Sequence, residues 1–420
     1  MNPINRAMAS FHYLKDSAGC VDTPGFVAAG VTCDVRGTAD GRLDLALVVS
    51  KTPCTLAAVF TRNRVAAAPV RLGRQMLAEG STMRGFAANS GNANACTGPE
   101  GMRDALKMRE LAARAAGCAP AEILVCSTGR IGRRLPMAKL EDGFERAGAQ
   151  LADAPEAGLR AADAILTSDT RRKVCSVRVE TPAGPVHISG MAKGAGMIEP
   201  HMATMLAFLC TDARVESSHL QELLAGCVDL SFNAVTVDGD ESTNDTVVFL
   251  ANGTAGITLS PGSDDWVAFR NALEAVCQDL AKKIVGDGEK ITKVVELRIE
   301  GAATTEDARK AARAVANSLL VKSSWYGGDP NWGRIMDALG YSGADLSEDS
   351  VSLWYAHEDG GECIPAFVGG EIHAEHLDRW KAIVAAPRFQ IIADLGRGSS
   401  KYRMWSTDLT EGYVNFNKSE

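Results

Sequence analysis

Six strand-length segments punctuate this chain, Glu122 to Ser127, Val174 to Glu180, Val186 to Ser189, Thr246 to Ala251, Val294 to Ile299 and Phe389 to Ala393, and several are apolar nearly throughout. A strand with one wet face alternates polar and apolar residues, whereas a continuous apolar run fits a strand covered on both faces. Sheets of such strands need helices or a second sheet on each side, so the expected fold is a layered α/β body, central β-sheets flanked by helices. The helices between them carry the complementary signal. Asp264 to Val285 repeats Trp266, Phe269, Leu273, Val276, Leu280 and Ile284 at steps of three and four, opens on acids and has Lys282 and Lys283 near its end. Gly101 to Ala116, closed by Gly117, and Ser217 to Leu230 are the other clear helices.

At 420 residues and 46% apolar content, the chain can form two domains or one large layered body. Its formal net charge of −8 gives no basic footprint for nucleic acid, so small molecules are the expected partners. Eleven cysteines, odd in number and without a C-x-x-C pair, read as buried small hydrophobes in a reducing compartment. Residues 1–22 lack the basic start and apolar core of a secretory signal, and no apolar run reaches about 18 residues. A cytoplasmic protein without membrane or nucleic-acid partners is expected.

The sharpest chemical signal is Lys193-Gly-Ala-Gly-Met-Ile-Glu-Pro-His-Met-Ala203-Thr204. Gly194 and Gly196 open positive φ to the backbone, Pro200 restrains the approach, and Ala203 hinders attack on its own carbonyl least. A cut between Ala203 and Thr204 makes Thr204 an N-terminus with its hydroxyl nucleophile and amine base on one residue. A free α-amine titrates at about 7.7–8.0, so it can take the hydroxyl proton without a histidine. The same residues also describe a glycine turn entering a buried strand or helix over Met205 to Leu209. Cys126-Ser-Thr128-Gly129-Arg-Ile-Gly132 follows an apolar strand and presents a hydroxyl and a glycine amide, the donor pair that holds a developing oxyanion. An ordinary strand-to-helix turn accounts for it equally well.

At these two motifs the chain resembles the ornithine acetyltransferase family, bifunctional glutamate N-acetyltransferases of arginine biosynthesis. The likeness runs in order through Pro24-Gly-Phe-Val-Ala-Ala-Gly-Val, Ala58-Val-Phe-Thr-Arg-Asn, Asn89-Ser-Gly-Asn-Ala-Asn-Ala-Cys-Thr-Gly98, Leu166-Thr-Ser-Asp-Thr170, the Lys193 block, Asp287-Gly-Glu289 and Gly328-Asp-Pro-Asn-Trp-Gly-Arg334. It implies autoproteolysis before Thr204 into chains 1–203 and 204–420 that stay associated, usually as an α2β2 assembly, and the layered fold shared with DmpA aminopeptidases. A smaller lobe beyond about Gly301 is a further expectation. Carried over by position, Thr204 is the nucleophile and Thr128 with Gly129 forms the oxyanion hole. Thr167, Lys193, Thr204, Glu289 and Asn417 contact the amino-acid substrate. A lysine and a neutral donor suit an α-carboxylate, and a carboxylate suits the ornithine ammonium.

Two departures bear on substrate choice. The family continues Gly-Ala-Thr-Lys after the Glu289 position, where this chain has Lys290-Ile-Thr-Lys293; Lys290 would repel an ammonium or pair with Glu289. The chain also ends soon after Tyr413-Val-Asn-Phe-Asn417, leaving Ser419 to stand in for the family's terminal hydroxyl. Asp238-Gly-Asp240-Glu-Ser-Thr-Asn-Asp245 starts like a calcium loop but lacks the later glycine and glutamate, so a polar turn near the substrate is expected. His201 reads as a surface or structural residue. His187, His357, His373 and His376 have no metal-ligand companions at useful spacing, and Gly327 to Arg334 lacks a Walker lysine, so no metal or nucleotide site is expected.

The expected reaction moves acetyl from N2-acetylornithine to glutamate through an ester on Thr204, in ping-pong order, with no ATP or other cofactor. Three alternatives stand beside it: the same site also using acetyl-CoA, a DmpA-like aminopeptidase or amidase in which water replaces glutamate, and a paralogue that folds without cutting itself.

Overall fold

The computed structural model describes residues 10–80, 82–199 and 205–418. Ala203 and Thr204, the expected cleavage pair, lie outside the described residues, as do His201 and Ser419. The chain packs as two compact units, one of residues 1–194, 201–233 and 241–284, the other of 195–200, 234–240 and 285–420. This is a division by packing; the one expected at 203/204 is a division of the chain.

The first unit contains β1 (Phe11–Tyr13), β2 (Phe26–Val31), β3 (Leu45–Phe60), β4 (Met83–Asn89), β5 (Ile123–Ser127), β6 (Lys173–Thr181), β7 (Gly184–Lys193), β8 (Leu206–Thr211) and β10 (Thr246–Ala251), with a small ribbon of β9 (Arg214–Val215) and β11 (Thr258–Leu259). The main order is β1-β6-β7-β8-β10-β3-β4-β5, and β2 also pairs with β3. β3 serves two layers. Thr55–Phe60 pairs with β10, whereas its first half pairs with β2 and β4, and the register slips between Val49 and Cys54. The layers meet face to face, with the Phe86 ring of β4 stacked on Phe208 of β8 at 4.0 Å between centroids.

Helices α1 (Ala68–Glu79), α2 (Gly98–Ala116), α3 (Met137–Ala149), α4 (Pro155–Ala164), α5 (Ser217–Asp229) and α6 (Asp264–Val285) pack on the outer faces. Val248 and Leu250 of β10 enter the core between the layers, while Phe249 packs against Phe269 of α6. Both faces are covered, so β8 and β10 are buried at every position and have no use for polar alternation. Each phenylalanine so buried contributes about 1.5–3 kcal/mol. α6 spans the residues its period predicts; α2 starts earlier than expected, at Gly98, with Pro99 in its first turn.

The second unit is a six-stranded sheet with the order β15-β14-β13-β16-β12-β17. Its strands are β12 (Val294–Ala302), β13 (Ser352–His357), β14 (Ile364–Val368), β15 (Glu371–Ile372), β16 (Arg388–Asp394) and β17 (Ser400–Thr407). Helices α7 (Thr305–Asn317), α8 (Leu319–Tyr326), α9 (Trp332–Gly340), α10 (Leu377–Ala385) and α11 (Glu411–Phe416) accompany it. Asn331 caps α9 through the Arg334 N–H, which gives the Gly328 to Arg334 block a helix-entry role. All the cysteines are unpaired, and most are buried; Cys96 and Cys363 are exposed. No described helix is long and apolar enough to cross a membrane.

Candidate active site

Parallel strands β4 and β5 end side by side at Asn89 and Ser127. Their loops are locked together: Ser127 Oγ donates to Asn89 Oδ1 at 2.6 Å, Asn89 Nδ2 to Asn92 O at 2.9 Å, and Thr128 N–H to Asn89 O at 3.0 Å. Gly129 turns at φ +130°, and a Cβ there would stand 2.3 Å from the Gly91 carbonyl carbon, so only glycine fits. The chain then runs back along residues 91–95, with Ala93 N–H on Arg130 O at 2.9 Å and Gly132 N–H on Ala95 O at 2.9 Å. α3 begins only at Met137, which sets this apart from a plain strand-to-helix turn. Thr128 is 1% exposed, and its buried Oγ1 has no hydrogen-bond partner among the described residues. An orphaned buried hydroxyl costs about 1–3 kcal/mol and leaves a donor free for an anionic oxygen. Burial pushes the neighbouring Cys126 thiol up to about 12, which removes it as a nucleophile.

Asn244 and Asp245, just before β10, join this turn to the start of β8. Asn244 Nδ2 donates to the carbonyls of Ala93 at 2.6 Å and Ser127 at 2.8 Å. Asp245 Oδ1 accepts the Met205 N–H at 2.9 Å, and Thr246 N–H donates to Met205 O at 3.2 Å. Met205 follows Thr204 in the chain, so two successive residues hold both the Thr128 turn and the backbone leaving the expected nucleophile.

Thr167 and Lys193 converge on Asp169. Lys193 closes β7 opposite Leu206 of β8, and its ammonium lies 3.6 Å from Asp169 Oδ2. Thr167 N–H donates to the same oxygen at 3.0 Å; Oδ1 takes the Lys173 ammonium at 2.6 Å and the Gly194 N–H at 2.7 Å. Burial alone would raise the Asp169 pKa, but the charges of Lys193 and Lys173 and the bonds from Lys173 and Gly194 outweigh it and hold the carboxyl below the usual carboxylate range.

In the second unit, Asn417 Nδ2 donates to Glu289 Oε2 at 3.2 Å. Glu289 N–H donates to Ala195 O at 2.9 Å, and a Cβ on Gly196 would stand 2.4 Å from the Glu289 carboxyl carbon. Gly196 therefore makes room for that carboxylate. Asp238 accepts the N–H groups of Met197 at 2.6 Å and Ile198 at 2.8 Å and the Tyr413 hydroxyl at 3.2 Å, so the calcium-like turn holds backbone. Buried Glu199 accepts from Arg313 Nε, from Asn317 Nδ2 at 2.9 Å and from Thr236 Oγ1 at 2.8 Å. The Lys290 ammonium lies over the Phe416 ring, 5.3 Å from its centroid. His373 and His376 do have a companion that the histidine spacing alone misses: Glu375 Oε1 lies 3.1 Å and 3.8 Å from them, in a partly exposed cluster.

Asp169, Asn244, Asp245 and Glu199 were not singled out from the sequence, although each sits inside a motif that was. Their one sequence signal is proximity to Thr167, β10 or the cleavage segment.

The sequence profile of the ArgJ family matches residues 27–419. The chain is 48% identical over 404 residues, 96% of its length and 98% of the relative's, to the arginine biosynthesis bifunctional protein ArgJ of Symbiobacterium thermophilum. It is 46% identical over 382 residues, 90% of its length and 94% of the relative's, to the protein of the same name from Geobacter sulfurreducens. A solved structure of an arginine biosynthesis bifunctional protein ArgJ from Bacillus halodurans matches 51% of this chain and 98% of its own, at 38% identity and a TM-score of 0.48.

Proposed function

This chain belongs to the ArgJ family, and from that premise we propose that it transfers acetyl from N2-acetylornithine to glutamate in arginine biosynthesis, through an ester on Thr204. Thr204 Oγ first attacks the Ala203 carbonyl, and the amide becomes an ester. Water hydrolyses that ester, releasing the Ala203 carboxylate and the Thr204 α-amine. Chains 1–203 and 204–420 stay associated, as an α2β2 assembly.

In turnover the α-amine takes the Oγ proton as Oγ attacks the acetyl carbonyl. The Thr128 hydroxyl and Gly129 N–H receive the oxyanion. The resulting ammonium returns its proton to the departing ornithine amine, and the glutamate amine then attacks the acetyl ester. One amide is exchanged for another, so no ATP or other cofactor is required. Lys193 and Thr167 suit the substrate carboxylate, and Glu289 with Asn417 suits the ornithine ammonium.

The observation that carries this reading is the buried, unpartnered Thr128 hydroxyl on a turn tied by Asn244–Asp245 to the residue after Thr204. The relatives are named bifunctional, which favours a second reading in which acetyl-CoA also serves as donor. Incubation with N2-acetylornithine and labelled glutamate should give ornithine and N-acetylglutamate in equal amounts. Free acetate without acetylglutamate would overturn the proposal. Denaturing mass spectrometry should find two chains, the second starting at Thr204, and an intact single chain for Thr204→Ala.

A further inference from the structure

Met205 stands just before β8, whose ladder with β10 opens at Leu206 and Thr246. Its N–H therefore precedes the strand pairing, and at 3% exposure it is out of reach of solvent. A buried N–H without an acceptor is rarely tolerated. Asp245 Oδ1 supplies that acceptor at 2.9 Å. The Asp245 backbone is itself fixed, since its carbonyl accepts Thr61 N–H at 3.0 Å.

The other carboxyl oxygen is harder to explain by packing. Asp245 is fully buried, and Oδ2 has no hydrogen bond of ordinary geometry, although the Thr61 and Ser242 side chains lie beside the carboxyl. The Thr61 hydroxyl proton is already engaged with Ser242 O at 2.8 Å. Burial, the largest influence, pushes the Asp245 pKa well up against the pull of the Met205 N–H and Lys193. A position that only filled space would be better served by an apolar side chain of similar size. What the carboxyl adds is a fixed acceptor aimed at one peptide plane, and that plane also contains the Thr204 carbonyl.

We propose that Asp245 is a positioning residue for Thr204: its Oδ1 clamps the Thr204–Met205 peptide plane and so aims the threonine both for the acyl shift at Ala203 and for acetyl transfer. The inference rests on Thr204 being the nucleophile. Asp245 itself touches neither substrate nor reacting atom; it acts through Met205.

The test compares Asp245→Ala, Asp245→Asn and Thr204→Ala in the full-length protein, with thermal unfolding to establish that each is folded. Cleavage is followed by denaturing mass spectrometry, and kcat and KM are measured with N2-acetylornithine and glutamate. Asp245→Ala should slow both cleavage and kcat by about 10²-fold with KM within about threefold, and Asp245→Asn, which keeps an oxygen acceptor, should recover about tenfold of that loss. Should Asp245→Ala fail to fold, Asp245→Leu, similar in size and without an acceptor, takes its place. Wild-type cleavage and kcat in the acceptor-free variant would overturn the clamp, as would equal impairment of the Asn and acceptor-free variants. Cleavage and activity in Thr204→Ala would instead remove the nucleophile assignment, whatever Asp245 does.

Discussion

Lys173 places its ammonium 2.6 Å from the Asp169 carboxylate, and neither side chain is reached by solvent. A buried ion pair contributes little to stability, because desolvation offsets most of the attraction. Its value lies in position. The same carboxylate holds the Thr167 N–H and stands 3.6 Å from the Lys193 ammonium, so it fixes the two side chains proposed to meet the substrate carboxylate.

Asp169→Asn should therefore act on substrate binding more than on chemistry. Without the negative charge, the Lys173 and Lys193 ammoniums lose their shared partner and Lys193 shifts. The expected result is a rise in KM of about tenfold to a hundredfold, in line with the worth of hydrogen bonds to charged groups, with a smaller fall in kcat. Steady-state kinetics with both amino-acid substrates measure this. Unchanged KM for both would refute the positioning role.

Thr128→Ala should lower kcat by about 10²–10³ while KM changes little, since an oxyanion donor is engaged only as negative charge develops. Thr128→Ser restores a hydroxyl and should recover part of the rate. Gly129→Ala provides a structural control: its Cβ cannot fit 2.3 Å from Gly91, so it should disturb the turn and lower the melting temperature, which Thr128→Ala should not. A Thr128→Ala enzyme with near-wild-type kcat removes the hydroxyl from the mechanism.

The layers were legible in the sequence because strands covered on both faces, such as β10, leave no polar position, and because α6 keeps its period from end to end. The interleaving of the units was not. Residues 195–199 and 235–240 join the second unit without forming an element of their own, and periodicity is silent about such segments. The turn at Thr128 and Gly129 is marked in the sequence by the apolar strand before it and by the resemblance. Asp169 and Asp245 are not, since a carboxylate in a loop ordinarily reads as solvated, and the partners Lys193 and Met205 are distant in sequence. Asp238 reads from the sequence only as part of a polar turn; its partners are the Met197 and Ile198 N–H groups.

Glu289 and Lys290 are neighbours with opposite expectations. Glu289→Gln should raise KM for N2-acetylornithine by about tenfold or more, as loss of a charged partner does, and affect the glutamate half-reaction less. Lys290, whose ammonium lies over Phe416, should matter little: Lys290→Ala is expected to keep that KM within about twofold, in the range of exposed charges. A large drop in KM for Lys290→Ala would mean that its charge does oppose the substrate ammonium.

Asp169 and Asp245 should leave opposite marks on stability against pH. On a Thr204→Ala background the protein stays one chain, and denaturant unfolding is not complicated by subunit release. The folded Asp169 pKa is lowered, so its contribution is present above the unfolded value of 3.8 and is lost as pH falls through the folded one. The gap between parent and Asp169→Asn should thus be level at neutral pH and narrow below pH 3.8. The folded Asp245 pKa is raised, so its contribution is full below 3.8 and is lost as pH rises toward the folded value. Relative to Asp245→Asn, the parent should lose stability as pH rises above 3.8, by at most about 1.4 kcal/mol per pH unit. A parent curve that stays level with Asp245→Asn above pH 3.8 would mean Asp245 is ionised in the folded protein, and the clamp would then be a charged one.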